Sequence, residues 1–404
     1  MPEPLDLANP AVWEDPHPAR REAREAQRVA ETNTGLRLVL RHDDIERLAK
    51  DPRMLGDSIS MLARHGLQRG DVLFDWWSRM MANRNGRDHL RLRSLVARAF
   101  TPRAVDAARP RIRELTHELL GRHAERGAMD LLGDFAHELP IRLMCEMLGV
   151  DPEIHADLTQ WTTDLGLAFV EVMSAEDRGR AEHAVRSLQA TCHTLIEQRV
   201  NQPGHGDLLD DLIAAANEAP EAFDPEDLVS LVINLLFGAH DTSRSLLSIA
   251  ALVLLQHPEQ RDLLTRHPEL TVSAAEECLR FEPVIGMMGR TPTEDIRLGN
   301  DWLPAGEMVG LSILSASRDP AAFDHPDVFD ITRQGERSFA FGWGAHHCLG
   351  AALARAEVQE AIPALFERYG DIEISEEPVR WVPFMAIRRL EALPVRFTAD
   401  VRSV

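Results

Sequence analysis

The chain has few cysteines, a deficit of cations and no apolar run behind a basic start. Its four cysteines, Cys145, Cys192, Cys278 and Cys348, are scattered over 404 residues, which excludes a disulfide-dense small scaffold and makes reduced thiols the default. Lys and Arg number 44 against 65 Asp and Glu, and the charge of −21 argues against nucleic acid or an anionic membrane as the main partner. Met1-Pro2-Glu3-Pro4-Leu5-Asp6 lacks the pattern of a signal peptide or membrane anchor, so a cytoplasmic location is expected. Linkers, internal repeats and low-complexity tracts are also missing, and the expectation is a single unit over residues 1–404.

What is present is mainly α. Apolar residues recur three and four apart through Ile112, Leu115, Leu119 and Leu120, and again from Leu228 to Leu255. Short strands are expected at Leu36–Leu40, Met308–Leu314 and Pro394–Thr398, giving small β-rich portions near 30–60, 295–315 and 380–400. Asp224-Pro225-Glu226-Asp227 is a helix start, with a capping aspartate, proline at the first helical position and acid in the first turn. The helix that follows is apolar on all sides, through Leu228, Val229, Leu231, Val232, Ile233, Leu235, Leu236 and Phe237. It should cross the middle of the protein and wall an internal site.

Near the C-terminal end stands Phe341-Gly342-Trp343-Gly344-Ala345-His346-His347-Cys348-Leu349-Gly350. The glycines let the backbone turn and admit a bulky group, and Ala351 to Glu357 are good helix formers. Cys348 is therefore expected at a helix N-terminus, where free N–H groups and the dipole lower a thiol pKa and favour a thiolate able to ligate haem iron. The plainer reading is a buried small hydrophobe. Zinc fits less well, because His346, His347 and Cys348 are consecutive and no second cysteine lies nearby at a ligand spacing.

These ten residues resemble the haem-binding signature of the cytochrome P450 superfamily, Phe-Gly-x-Gly-x-His-x-Cys-x-Gly, met at Phe341, Gly342, Gly344, His346, Cys348 and Gly350. Further family motifs follow in order from about residue 85. The resemblance implies the P450 fold, with haem b (iron protoporphyrin IX) between the central helix and the cysteine loop. It implies Cys348 as axial ligand, Phe341 packed over its sulfur, His346 near a haem propionate, and Gly342, Gly350 and Ala239 close to the cofactor. The implied activity is a haem-thiolate monooxygenase that takes O2 and hydroxylates a mainly apolar small molecule. No flavin or iron–sulfur segment is found, so electrons are expected from a separate ferredoxin and ferredoxin reductase. A peroxide-driven peroxygenase and a non-catalytic haem sensor or carrier are the alternatives.

Within the apolar helix comes Gly238-Ala239-His240-Asp241-Thr242-Ser243. A buried carboxylate costs roughly several kcal/mol unless it is paired or protonated. In one reading Asp241 pairs locally and Thr242 bonds back to the Gly238 carbonyl, bending the helix. In the other, small Gly238 leaves room on the face it shares with Thr242, Thr242 holds dioxygen and ordered water, and Asp241 relays protons. The second matches the family's acid–alcohol pair, whose presence favours O2 over peroxide as oxidant.

Other segments acquire roles only through the resemblance. Glu277 and Arg280, three apart on one helical face, look like the family's Glu-x-x-Arg, with Arg333 completing a structural triad. His89 and Arg93 share an inward face and are similar to a propionate-binding His-x-x-x-Arg, as Arg290 is to a further propionate ligand. Arg87, Arg91 and Arg98 fall on the opposite face, which could steer an acidic ferredoxin. Asn85-Gly86-Arg87-Asp88 departs from the family pattern just before His89, which puts the shape of that loop in question.

For the substrate wall the resemblance points to Trp76, Trp77, Met80 and Met81, and to Leu167, Phe169 and Val170. It also points to Asn234, Phe237 and Gly238 on the central helix, to Val284, Ile285 and Met287, and to Phe384 and Met385. Most are apolar, so a mainly apolar substrate follows.

Overall fold

The computed structural model describes residues 4–7, 9–170, 173–218, 224–335, 338–383 and 386–398, leaving out the side chain of Arg98. Phe384 and Met385 lie outside the described residues. Helices make up most of the body, and the strands are two to six residues long. The Asp-Pro signal starts the central helix as expected: it spans Pro225–Gln256, and the Asp224 carboxylate accepts from the Glu226 N–H at 3.0 Å. Its residues are buried on nearly every side, so it is held by packing and not by surface pairs. Glu138–Leu148, His155–Leu165, Ala175–Asn201 and Ala351–Arg368 pack around it.

A five-stranded sheet stands at one side, in the order Val29–Glu31, Arg37–Val39, Val309–Ser312, Met287–Pro292, Met54–Gly56. Only the second and third strands run parallel, with Leu38 opposite Gly310. Met287–Pro292 joins the sheet to the interior, because it pairs with both Val309–Ser312 and Met54–Gly56 while Met287 and Met288 stay buried.

The expected strands are present but shorter. Met308–Leu314 keeps only Val309–Ser312, because the Ser312 side chain accepts from the Ser315 N–H and caps a helical turn over Ile313–Ala316. Pro394–Thr398 ends at Arg396, and its three strand residues pair with Ala128–Asp130. Among the described residues, no helix is long and apolar enough to cross a membrane.

Candidate active site

A cavity of about 420 Å³ opens between the central helix and the cysteine loop. Gly238, Ala239, Thr242 and Ser243 form its ceiling, and Phe341, Gly342, His346, Cys348 and Gly350 face it from the loop. The loop can make this turn because Gly342 and Gly344 sit at φ 71° and 72°, where side chains are strained. A Cβ on Gly350 would meet nothing within 4 Å, so that edge of the cavity has room for a flat group.

Cys348 is exposed, and the surface it exposes lies on the cavity. Its N–H donates to the Phe341 carbonyl at 2.8 Å. The helix begins only at Ala351, with Gly350 as its cap, so the cysteine precedes the helix and is not its first residue. The expected lowering of its pKa is not found. Its open surface faces the cavity and not bulk solvent, and enclosure by the surrounding protein pushes the thiol up and outweighs the Gly350 N–H, Arg93 and Arg355, which pull it down. The Arg355 guanidinium lies over the Phe341 ring at 4.4 Å.

Five basic side chains, His89, Arg93, Arg290, His346 and His347, line the same cavity. His89 and His346 are in ring contact at 4.2 Å. Arg290 is buried and donates only to the Gly289 carbonyl and, at 4.0 Å, to the Met288 sulfur. Among the described residues neither Arg93 nor Arg290 has a carboxylate partner. The cost shows in the titration: burial lowers the pKa of Arg290, and burial followed by His89, Arg290 and Arg93 lowers His346 to about 4. Buried cations without an acid call for an anion. A planar ligand with two carboxylates, whose metal meets Cys348, fits this donor set.

The departure at Asn85 is resolved by its side chain. Asn85 accepts from the Gly56 N–H at 3.0 Å, donates to the Gly56 carbonyl at 3.1 Å and lies 3.2 Å from His346 Nε2. It ties the loop to the sheet edge and holds the histidine ring.

The helix Gly86–Val96 turns His89 inward, with Leu92 and Val96 buried beside it. Arg91 is not free on the outer face: it donates to Asp227 Oδ2 at 2.8 Å, and that carboxylate is itself buried in the first turn of the central helix. Among the described residues of the expected steering face Arg87 is exposed, and the Arg98 side chain lies outside the description.

Both readings of the polar break find support in the geometry. Thr242 donates to the Gly238 carbonyl at 2.7 Å and still lines the cavity. Asp241 is fully buried on another face of the helix and does not line the cavity. Its Oδ1 accepts from Arg244 at 2.6 Å and from Arg389 at 2.9 Å, while Oδ2 has no hydrogen-bond partner among the described residues. Arg244 continues to His137 at 3.1 Å and Thr163 at 3.3 Å, and His137 stacks on His240 at 4.7 Å. Glu277 meets both arginines of its triad, Arg280 through two bonds of 2.7 Å and Arg333 at 3.2 Å.

Of the expected substrate wall, Met81, Asn234, Gly238, Val284, Ile285 and Met287 line the cavity. Trp76, Trp77, Met80, Leu167, Phe169, Val170 and Phe237 do not. The Trp77 ring sits 5.0 Å from Phe169 and 6.0 Å from Phe237, and Trp77 Nε1 donates to Ser58 Oγ, so these side chains form an aromatic core behind the wall. Sequence reasoning missed Asp57, Ser58, Phe100, Met144, Leu279 and Leu353 on the wall. Asp57 and Ser58 are placed by Thr291, Asn83 and Trp77, all distant in sequence, so no local signal marks them.

A helical body, an internal cavity walled by its long central helix, and a glycine-bent cysteine loop facing guanidiniums that have no carboxylate partner among the described residues define a haem-thiolate type of enzyme. The comparisons agree. The cytochrome P450 family pattern matches residues 71–267 and 266–378, and the chain belongs to that family. It is 35% identical over 373 residues to Cytochrome P450 CYP107DY1 of Priestia megaterium, covering 89% of each chain. To the Vitamin D(3) 25-hydroxylase of Pseudonocardia autotrophica it is 36% identical over 371 residues, covering 90% of this chain and 89% of the other. The crystal structure of myxobacterial cytochrome P450 CYP267B1 with myristic acid superposes with a TM-score of 0.89 at 33% identity, over 98% of this chain and 99% of that one. The chain is a bacterial-type P450 monooxygenase, with a haem-iron cofactor, O2 and a small-molecule substrate.

Proposed function

We propose that the protein binds haem b through Cys348, takes electrons from a ferredoxin and its reductase, and hydroxylates a mainly apolar compound. The observation that carries this reading is the convergence on one cavity of Cys348, two guanidiniums without a carboxylate partner among the described residues, three histidines, and Thr242 beside Gly238. Haem, when bound, supplies the activation of O2 and the transfer of one oxygen atom. The chain's own residues do the rest. Arg93, Arg290, His89 and His346 hold the two carboxylates, and Phe341 and Arg355 shield the sulfur from water. Thr242, whose hydroxyl already donates to a backbone carbonyl, keeps lone pairs toward the cavity and orders water there. Asp241 is held by two guanidiniums, and protons reach the cavity from it by way of the Thr242 turn.

The apolar part of the wall, Leu231, Leu235, Val284, Ile285 and Met287, supports a mainly apolar substrate, and Asn234 with its unpartnered Oδ1 is the polar exception that would orient it. The relative that hydroxylates vitamin D(3) and the neighbour with bound myristic acid point to lipid-like compounds. The test is the reduced protein under carbon monoxide, for which a red-shifted Soret band is expected and whose absence overturns the reading. Thr242→Ala should then divert most reducing equivalents from product to peroxide. An enzyme driven equally well by peroxide alone, and indifferent to that substitution, would be a peroxygenase.

A further inference from the structure

The polar side chains of the cavity wall are not equally committed. Asp57 accepts from the Ser60 N–H at 3.0 Å and from Thr291 Oγ1 at 2.6 Å. Ser58 Oγ donates to Asn83 at 2.7 Å and accepts from Trp77 Nε1 at 2.9 Å, and Thr242 is turned back onto the Gly238 carbonyl. Asn234 differs. It lines the cavity from the central helix, its Oδ1 is buried without a hydrogen-bond partner, and its Nδ2 has none either among the described residues.

Leu231 and Leu235, its neighbours on that wall, offer the amide no polar side chain. A carboxamide left unpaired among them carries a desolvation cost that a leucine of similar size avoids. Packing alone therefore does not account for an amide at this position.

Its place on the helix says what it can read. Asn234, Gly238 and Thr242 are four residues apart and stand one above another on one face, with about 6 Å of helix rise from each to the next. The Asn234 amide nitrogen leans toward the glycine and lies 3.7 Å from the point where a Gly238 Cβ would stand. The order along this stripe is an unpaired amide, a gap without a side chain, and a hydroxyl. Nδ2 is a donor and calls for an oxygen acceptor. Asn234 brings no charge to offset a carboxylate among leucines, whereas a neutral hydroxyl or ketone oxygen needs none.

We propose that Asn234 anchors the substrate by a neutral oxygen already present on it. The compound taken is then an oxygenated hydrocarbon, an alcohol or a ketone, and the carbon attacked is fixed by its distance from that oxygen. Nδ2 donates to the substrate oxygen while the adjoining hydrocarbon lies against the Gly238 gap. A plain hydrocarbon fills the same apolar wall without that bond and leaves the amide unpaired.

This inference rests on the proposed hydroxylase, and its test keeps the two apart. Decane, decan-2-one, decan-1-ol and decanoate are titrated into the holoenzyme, binding is read from the spin-state change, and the products of the ketone are located along its chain. Asn234→Leu should weaken decan-2-one and decan-1-ol by about fivefold, the weight of one neutral hydrogen bond, while decane binds as tightly or more so and decanoate is unmoved. The wild type should oxidise decan-2-one within one narrow set of positions, and Asn234→Leu should spread them. Asn234→Gln, which keeps the amide and moves it by one methylene, should keep the binding preference and shift the position oxidised. An equal effect of Asn234→Leu on all four probes marks a plain wall residue and overturns the anchor. A larger loss for decanoate than for the ketone makes a carboxylate the anchored group and overturns it as well. Should Asn234→Leu fail to fold, unchanged product positions in Asn234→Gln, or an even spread of products in the wild type, overturn it. A red-shifted carbon monoxide band without these differences spares the family reading; absence of that band overturns the family reading and this inference with it.

Discussion

At the scale of single residues, the cavity is defined by an imbalance. Arg93 and Arg290 face it with His89, His346 and His347, and among the described residues neither guanidinium has a carboxylate partner. Folding places these cations against an apolar wall, and the cost appears as lowered pKa values at Arg290, His89 and His346; on the proposed reading the cofactor's carboxylates would neutralise them. Removing one of the guanidiniums should therefore act on cofactor retention more than on the fold. A charge-assisted bond contributes about 1.5–3 kcal/mol. Arg290→Gln is expected to speed haem transfer to apomyoglobin by about tenfold or more, with Arg290→Lys intermediate. An unchanged transfer rate would mean that Arg290 does not hold a carboxylate.

At the scale of elements, the central helix carries two polar systems on different faces. The cavity face has Thr242 and Ser243, and the far face has Asp241, Arg244 and the stacked pair His240 and His137. His137 is lowered to about 4 by burial first and Arg244 second, and His240 is lowered well below its usual value, mainly by burial. A histidine that resists protonation in the fold binds fewer protons than the unfolded chain below about pH 6.5. Stability is therefore full above that pH and is lost as pH falls toward about 4. Thermal melts of the wild type should show a steep loss across that window, and His137→Gln should flatten it; an equal slope in the variant would contradict the assignment.

These elements also show where a sequence stops being readable. The cysteine loop and the Asp224-Pro225 helix start were legible because their chemistry lies within a few adjacent residues. The far-face network was only half legible: Asp241 was marked as a buried acid, but Arg389 comes from a strand 148 positions away. Trp76 and Trp77 were read as wall and are core, since composition does not say which face of a short helix meets the cavity. Arg91 was read as outward because a helical projection cannot see Asp227 arriving from another helix.

At the scale of the whole molecule, Glu282 joins parts of the chain that are far apart. It bonds His17 near the start at 2.7 Å, lies 3.5 Å from Arg318, and faces Arg388 near the end at 3.2 Å. Burial alone would raise its pKa, but His17, Arg388 and Arg318 hold it down to about 2. The depressed value gives stability that is present above about pH 4.5 and lost as pH falls through about 2. Arg388 is a second anchor: it donates to the Trp13 carbonyl and stacks on Trp381 at 3.8 Å, so the N-terminal helices and the C-terminal hairpin share one charged knot. Taking away Glu282 would leave the buried Arg388 and His17 without their acid and Arg318 with the more exposed Asp327. Glu282→Ala is expected to lose about 3–5 kcal/mol, the usual cost of breaking a buried pair from one side. Denaturant unfolding at pH 7 measures this directly. Because neither Glu282 nor its three partners lines the cavity, the folded fraction should keep the carbon monoxide band. A variant as stable as the wild type would show that the N- and C-terminal segments are held by apolar packing alone.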